Sequence, residues 1–241
     1  MNIFFAFLVF FCPLFLVAQQ PDDEVNTFAY HKNHSVLAAL STNGYSVTYR
    51  NAFHKTAEKK FFWNIELANL KHSKEIKQSY AVGYRSYVYG KTHANYPVRL
   101  GFGAQKLLGQ KANFNGVEVN FVYQGGLSLA ILKPVYYRII YINDRFPQEE
   151  KFNPDFHTPN NILSRASFIN GLNEMEINPG VYAKFALNFE YASEKASIKA
   201  IETGVVVDTY FKPLQMLAFE NKDNFFVGFY VALQYGYKKY R

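Results

Sequence analysis

The chain is poor in cysteine and tryptophan, and its interior has no long apolar run. The one cysteine is Cys12 and the one tryptophan is Trp63, in 241 residues. Cys12 lies inside the leading apolar stretch, Met1 to Ala18. Its removal with that stretch leaves no cysteine, which excludes disulfides, cysteine-bound zinc and thiol catalysis. Past Ala18 no segment reaches the ~18 apolar residues of a membrane helix. The net charge is +7, yet the lysines and arginines are scattered and no nucleic-acid motif frames them, so no nucleic-acid partner is expected. Attraction to anionic head groups or plain solubility accounts for the basic balance. His31 and His34, three apart, would share one face of a helix as metal ligands. Two solvated histidines is the plainer reading, and neither a metal nor a cofactor is expected.

Aromatic residues are abundant instead: 24 Phe and 19 Tyr, 18% with the tryptophan, at a mean hydropathy of only −0.17. That pairing fits strands that are apolar on one face and polar on the other. Met1–Ala18 (MNIFFAFLVFFCPLFLVA) reads as a secretory signal peptide, with a retained N-terminal anchor as the alternative. Residues 19–43 read as a short periplasmic lead-in, with 35–43 a candidate backward extension of the first strand. Residues 44–241 read as the folded domain.

The clearest stretch is Phe225 to Lys238, FFVGFYVALQYGYK. Phe225, Val227, Phe229, Val231, Leu233, Tyr235 and Tyr237 alternate with Gly228, Tyr230, Ala232, Gln234, Gly236 and Lys238. Side chains on a strand alternate faces, so one face is unbroken and apolar while the other is small or polar. A strand this long with aromatics at both ends of its apolar face fits a membrane barrel. The same alternation marks strands over 44–54, 60–72, 98–108, 117–131, 181–191 and 198–211, and more weakly over 80–90. The mid-strand pair Gly125-Gly126 predicts a bend or a close backbone approach, and Lys133-Pro134 ends its ladder. Residues 135–142 are β-prone and read as an extension above the membrane. Residues 143–180 are the one long non-strand region, with room for a short helix at 161–172. The total is eight strands, an even number. Connections 73–79, 109–115 and 193–196 then fall on the periplasmic side, while the long 143–180 and 213–224 fall outside.

From about Gly44 to Lys238 the chain resembles the small eight-stranded outer-membrane β-barrel proteins of Gram-negative envelopes. The last strand carries the resemblance best: Gly228 followed by Val231, Leu233, Tyr235 and Tyr237 looks like the terminal signal read by the barrel-assembly machinery. It departs in ending on Lys238-Lys239-Tyr240-Arg241. GGLSLAILKPVYY is similar to a segment of uncharacterised barrels of this kind. The resemblance implies an all-β, closed antiparallel transmembrane up-and-down barrel in the cell outer membrane, surrounded by lipid.

An eight-stranded barrel is just wide enough for its own side chains to fill it, which disfavours an open pore. The expected lumen charges are Arg50, Glu66, Arg85, Arg99, Glu118, Lys184, Glu190, Glu202, Asp208 and Lys238: five acids and five bases. A self-neutralising plug is expected over a proton path, because an unpaired buried charge is costly. An outer-leaflet lipid-modifying enzyme would need a serine, a histidine base and an orienting carboxylate. The weak candidates are His157 with Ser164 or Ser167, with His54 and His93 also near the expected outer rim; no nucleophile motif frames either serine. The favoured function is non-enzymatic. A barrel scaffold or accessory subunit of an envelope complex docks a protein partner through the loop at about 142–180, using Phe152, Phe156 and Phe168. A soluble β-barrel or sandwich binding protein is the third class, and it would show an apolar lumen.

Overall fold

The protein is described by a computed structural model covering residues 30–56, 58–80, 83–111, 116–141, 145–191 and 197–240. The expected signal peptide and the start of the expected lead-in lie outside the described residues. In chain order the strands are β1 (Tyr30–Ser41), β2 (Gly44–His54), β3 (Lys59–Leu70), β4 (Lys77–Gln78), β5 (Tyr87–Val88), β6 (His93–Gly109), β7 (Glu118–Pro134), β8 (Tyr136–Ile139), β9 (Gln148–Lys151), β10 (Ile162–Arg165), β11 (Glu176–Glu190), β12 (Ser197–Leu214) and β13 (Asp223–Tyr240). Eight of them close a barrel in the order β1-β13-β12-β11-β7-β6-β3-β2, every neighbouring pair antiparallel. Among the described residues no helix is long and apolar enough to cross a membrane.

The alternation decides which face each residue takes. Ser46, Thr48, Arg50 and Ala52 of β2 are buried inside, while Tyr45, Val47, Tyr49 and Phe53 stand outside. The outward set continues round the barrel, with Leu40 74%, Phe102 77%, Phe229 66% and Tyr235 68% exposed. A soluble monomer rarely exposes an apolar patch beyond a few hundred Å²; a continuous apolar belt around a polar lumen is the transmembrane arrangement. It is the inverse of the apolar lumen that a soluble binding barrel requires.

The strand count of eight is met, but with different members. Residues 30–41 of the expected lead-in form strand β1, paired with β2 on one side and β13 on the other. Its alternation is muted, because outward Ala38 is small and inward Leu37 is large. The expected strand at 80–90 is not in the barrel. Gly83 (φ 94) and Gly90 (φ 78) interrupt it, and among its described residues only Tyr87–Val88 is strand, paired with Lys77–Gln78. The assignment of sides shifts accordingly. Connection 55–58 joins both chain ends at one end of the barrel, the terminal end, and 73–79 becomes part of a single connection, 71–92, at the distal end. The distal end also carries 42–43, 135–175 and 215–222. The tight turn before β2 needs Gly44: its φ is +143, and a Cβ there would lie 1.8 Å from the Asn69 carbonyl oxygen.

Strands β6, β7, β12 and β13 have 17–18 residues, against 11–12 in β1–β3. At about 3.4 Å per residue, the longer strands rise well past what spans a bilayer. The distal connections fold against this wall as a cap. Residues 136–139 form a separate strand in a three-stranded sheet, β10-β8-β9, rather than an extension of β7. The expected helix at 161–172 is instead strand β10 followed by turns, with one 3-10 turn at Leu172–Glu174. The cap core joins Tyr87, Tyr137, Ile139, Phe152 and Ile162 to Ala94 and Val135 at the rim. Below it, Leu70, Leu132, Tyr210, Leu214, Met216 and Phe226 close the distal lumen.

Candidate functional site

The centre of the lumen holds three bases and three acids in direct contact. Arg50 forks onto Glu202, with Nη1 to Oε2 at 2.7 Å and Nη2 to Oε1 at 3.0 Å. Arg99 reaches Asp208 through Nε (2.8 Å) and Nη2 (2.7 Å), and donates its Nη1–H to Glu66. Lys184 donates to the other oxygen of Glu66. Tyr230 donates to Glu202 at 2.9 Å, Asn188 to Glu202 at 3.2 Å, and Ser128 to Asp208 at 3.3 Å. Arg50 also lies 4.5 Å from the Phe62 ring centroid. Toward the terminal end, Lys238 pairs with Glu190 (2.7 Å) and Lys60 with Glu118 (3.4 Å). Burial forces this pairing, since an uncompensated charge in a dry lumen costs several kcal/mol, and bidentate arginine–carboxylate contacts are among the strongest available.

Four strands supply one further row across the wall. Tyr182 is in register with Gly126, Gly126 with Gly101, and Gly101 with Asn64. The phenol reaches over Gly101 and donates to Asn64 Oδ1 at 3.3 Å. A Cβ on Gly101 would meet the Tyr182 hydroxyl at 2.0 Å, and one on Gly126 would meet the Leu100 carbonyl oxygen at 2.1 Å. The close approach expected at Gly125-Gly126 is therefore found at Gly126, against the backbone of Leu100 and Gly101. The cavity left near Glu66 and Arg99 is only about 20 Å³, room for one water.

Of the ten expected lumen charges, nine line the barrel and Arg85 does not: it is exposed in the distal connection 71–92. Lys60 takes its place as the fifth base, a position the inward parity of β3 (Phe62, Asn64, Glu66) already marks. The neutral partners Asn64, Ser128, Asn188 and Gln234 follow the same parity.

The cap reorders the expected docking and catalytic residues. Phe152 is 9% exposed and packs against Tyr89, Tyr137, His157 and Phe219, so it holds the cap together and is not a docking residue. Phe156 (65%) and Phe168 (54%) are exposed. His157 is buried, and its Nδ1 accepts the Asn153 backbone N–H at 2.9 Å. Its Nε2 lies 3.3 Å from both Glu150 Oε2 and the Tyr141 hydroxyl. With the Nδ1 lone pair taken, the hydrogen of the neutral ring is on Nε2 and points to Glu150. No lone pair remains to accept a proton from a serine. Ser164 is buried on β10 and Ser167 is exposed beyond it, and neither is among the partners of His157. His54 ends β2 at the terminal end, away from the cap. His93 donates Nδ1–H to the Gln215 carbonyl at 3.0 Å. His34 sits on a strand rather than a helix, with Nδ1 2.8 Å from the Tyr49 hydroxyl and its ring stacked on Tyr237, so the helical face shared with His31 does not exist. Among the described residues no three His, Cys, Asp or Glu side chains group as a metal site.

Closed barrel, apolar belt, self-paired lumen and distal cap together define a small eight-stranded transmembrane β-barrel of the outer-membrane type. Among solved structures the chain is similar to neisserial surface protein A, NspA (8% identity, TM-score 0.43, covering 88% of this chain and 97% of that one). It is also similar to Ail, the attachment invasion locus protein of Yersinia pestis, in complex with the heparin analogue sucrose octasulfate (8% identity, TM-score 0.35, covering 86% and 95%). No family model and no curated protein matches the sequence.

Proposed function

We propose that the chain is a non-conducting barrel of the cell outer membrane, exported by its first 18 residues and inserted by the barrel-assembly machinery. There it acts as a scaffold or accessory subunit of an envelope complex, and it presents its distal cap to a protein partner. The observation that carries this reading is the contrast between the two ends of one long connection. Its base is a packed aromatic core, while its surface leaves Phe146 (80%), Phe156 (65%), Phe168 (54%) and Ile169 (73%) exposed. Large apolar side chains held out by an ordered base favour recognition. The lumen adds nothing that transport requires, because its charges neutralise one another and its distal end is closed.

The test is cross-linking and pull-down from envelopes with the intact protein and with a variant in which Phe146, Phe156, Phe168 and Ile169 are all serine. Loss of a specific partner from the variant is expected. Recovery of every partner by the variant sinks the reading, as does steady ion conductance of the purified barrel in planar bilayers.

A further inference from the structure

One cavity lies outside the lumen charge network and is walled on one side by residues of the cap core. It lies between the distal barrel rim and the cap and has a volume of about 280 Å³. Four cationic side chains line it, Lys71, Lys77, Lys91 and Arg165, against one carboxylate, Glu75, a surplus of three positive charges (4 − 1) among the described lining residues. The carboxylate is already engaged: it accepts from Lys91 Nζ at 2.6 Å and from the His72 backbone N–H at 3.1 Å. Arg165 stands on β10 in register with Tyr137, and among the described residues no hydrogen bond or ion pair engages its guanidinium. Lys77 is likewise unengaged, on the short β4–β5 pairing opposite Val88. Elsewhere on the cap three cations have carboxylates, Arg138 with Glu149, Lys151 with Glu174 and Lys74 with Glu220, while Arg85 and Arg145 stand exposed in solvent.

Burial is the largest effect on Lys91 and lowers its pKa below the ordinary lysine value, Glu75 opposes this, and Arg165 and Lys71 add to it by repulsion. Like charges gathered in a walled cavity raise a positive potential that an anion relieves.

We infer that this cavity is a binding site for a phosphate or sulfate monoester carried on a group about the size of one sugar ring. The guanidinium of Arg165 offers the planar fork that matches a tetrahedral oxyanion, and the lysines add point charges. Tyr45, Tyr87 and Tyr96 give the cavity aromatic walls for the carrying group. The volume lies just below the ~300–1,000 Å³ of ordinary ligand sites, which sets the upper size. This site goes beyond the docking surface proposed above and does not depend on it, because the exposed aromatics of that surface do not line the cavity.

The test is calorimetric titration of glucose 6-phosphate and glucose 6-sulfate into the full-length mature chain folded in zwitterionic detergent. Saturable one-site binding is expected. Arg165→Gln should weaken it about tenfold or more, the scale of a lost charged hydrogen bond. Arg165→Lys should fall between, and Lys74→Gln, which removes the same charge outside the cavity, should leave it unchanged. No saturable binding up to millimolar ligand overturns the inference, and so does equal weakening by Arg165→Gln and Lys74→Gln. If Arg165→Gln loses the heat-modifiable gel shift of a folded barrel, Lys77→Gln is read in its place, loss supporting the site and retention overturning it. Doping the micelles with phosphatidic acid separates the sources. Displacement of the sugar phosphate assigns a lipid head group in the site, and its absence assigns a free ligand, both upholding an oxyanion site.

Discussion

Arg99 and Asp208 meet inside the barrel from strands that are not neighbours, with paired contacts of 2.8 and 2.7 Å. They bind β6 to β12 across the lumen, and Arg99 also holds Glu66 on β3. Replacing Arg99 by Met leaves Asp208 with Ser128 as its remaining hydrogen-bond donor. The expected loss is about 3–5 kcal/mol, the cost of stranding a buried charge. Trp63, the one tryptophan, reports unfolding in urea without an added label. The double variant Arg99→Met/Asp208→Leu should regain much of that stability. A double variant no better than the single would refute the pairing as the source of the effect.

The glycine row gives a prediction with two opposite outcomes. Gly101→Ala should destabilise by about 1–3 kcal/mol through overpacking against the Tyr182 hydroxyl. Tyr182→Phe removes that oxygen and should recover part of the loss when combined with Gly101→Ala. It should not rescue Gly126→Ala, whose obstacle is the backbone oxygen of Leu100. Equal rescue of both would mean that the ring position, not the hydroxyl, sets the contact.

Phe152 separates the cap from the barrel. Phe152→Ala removes a ring shared with four aromatic neighbours, a loss of about 3–5 kcal/mol confined to the cap. Limited proteolysis should then cut within 135–175, while the membrane strands stay protected and the gel shift on boiling persists. Cleavage no faster than in the unaltered protein would show that the cap does not depend on this residue.

Acid should loosen the cap through Glu174. A hydrogen bond from the Lys151 ammonium (2.6 Å), and next one from the Tyr136 hydroxyl (3.0 Å), hold its carboxyl below the usual range. A folded-state value below the unfolded one means the contribution is present above the unfolded value and is lost as pH falls through the folded one. Cap proteolysis compared between about pH 7 and about pH 3, with an acid-tolerant protease, should rise only at the acid end. Glu174→Gln should flatten that rise. An unchanged acid response in the variant would assign it to another group.

The alternation of the barrel was legible wherever both faces carried distinct residues. Phe225 to Lys238 is strand as expected, and nine of the ten expected lumen charges fall inside. The misses share a physical cause. In β1 the outward Ala38 and inward Leu37 blur the two faces, so only pairing with β2 and β13 identifies the strand. At 80–90 the tyrosines alternate as in a barrel strand, but Tyr87 and Tyr89 serve the aromatic packing of the cap, and two glycines at positive φ break the run. The cap sheet was hidden because strands of two to four residues have no period to read. The cationic cavity was hidden for a different reason. Its charges come from the connection 71–92 and from β10, and only the fold brings Lys71, Lys91 and Arg165 to one place.

The barrel is closed by its first strand meeting its last, with Gln234 donating to Ser35 across 199 residues of chain. Until that seam zips, Arg50 and Glu202 sit on opposite flanks of an open sheet, 152 residues apart along the chain. Neither ion can shed its water alone. Around this pair the lumen is expected to dry only once the first and last strands have met.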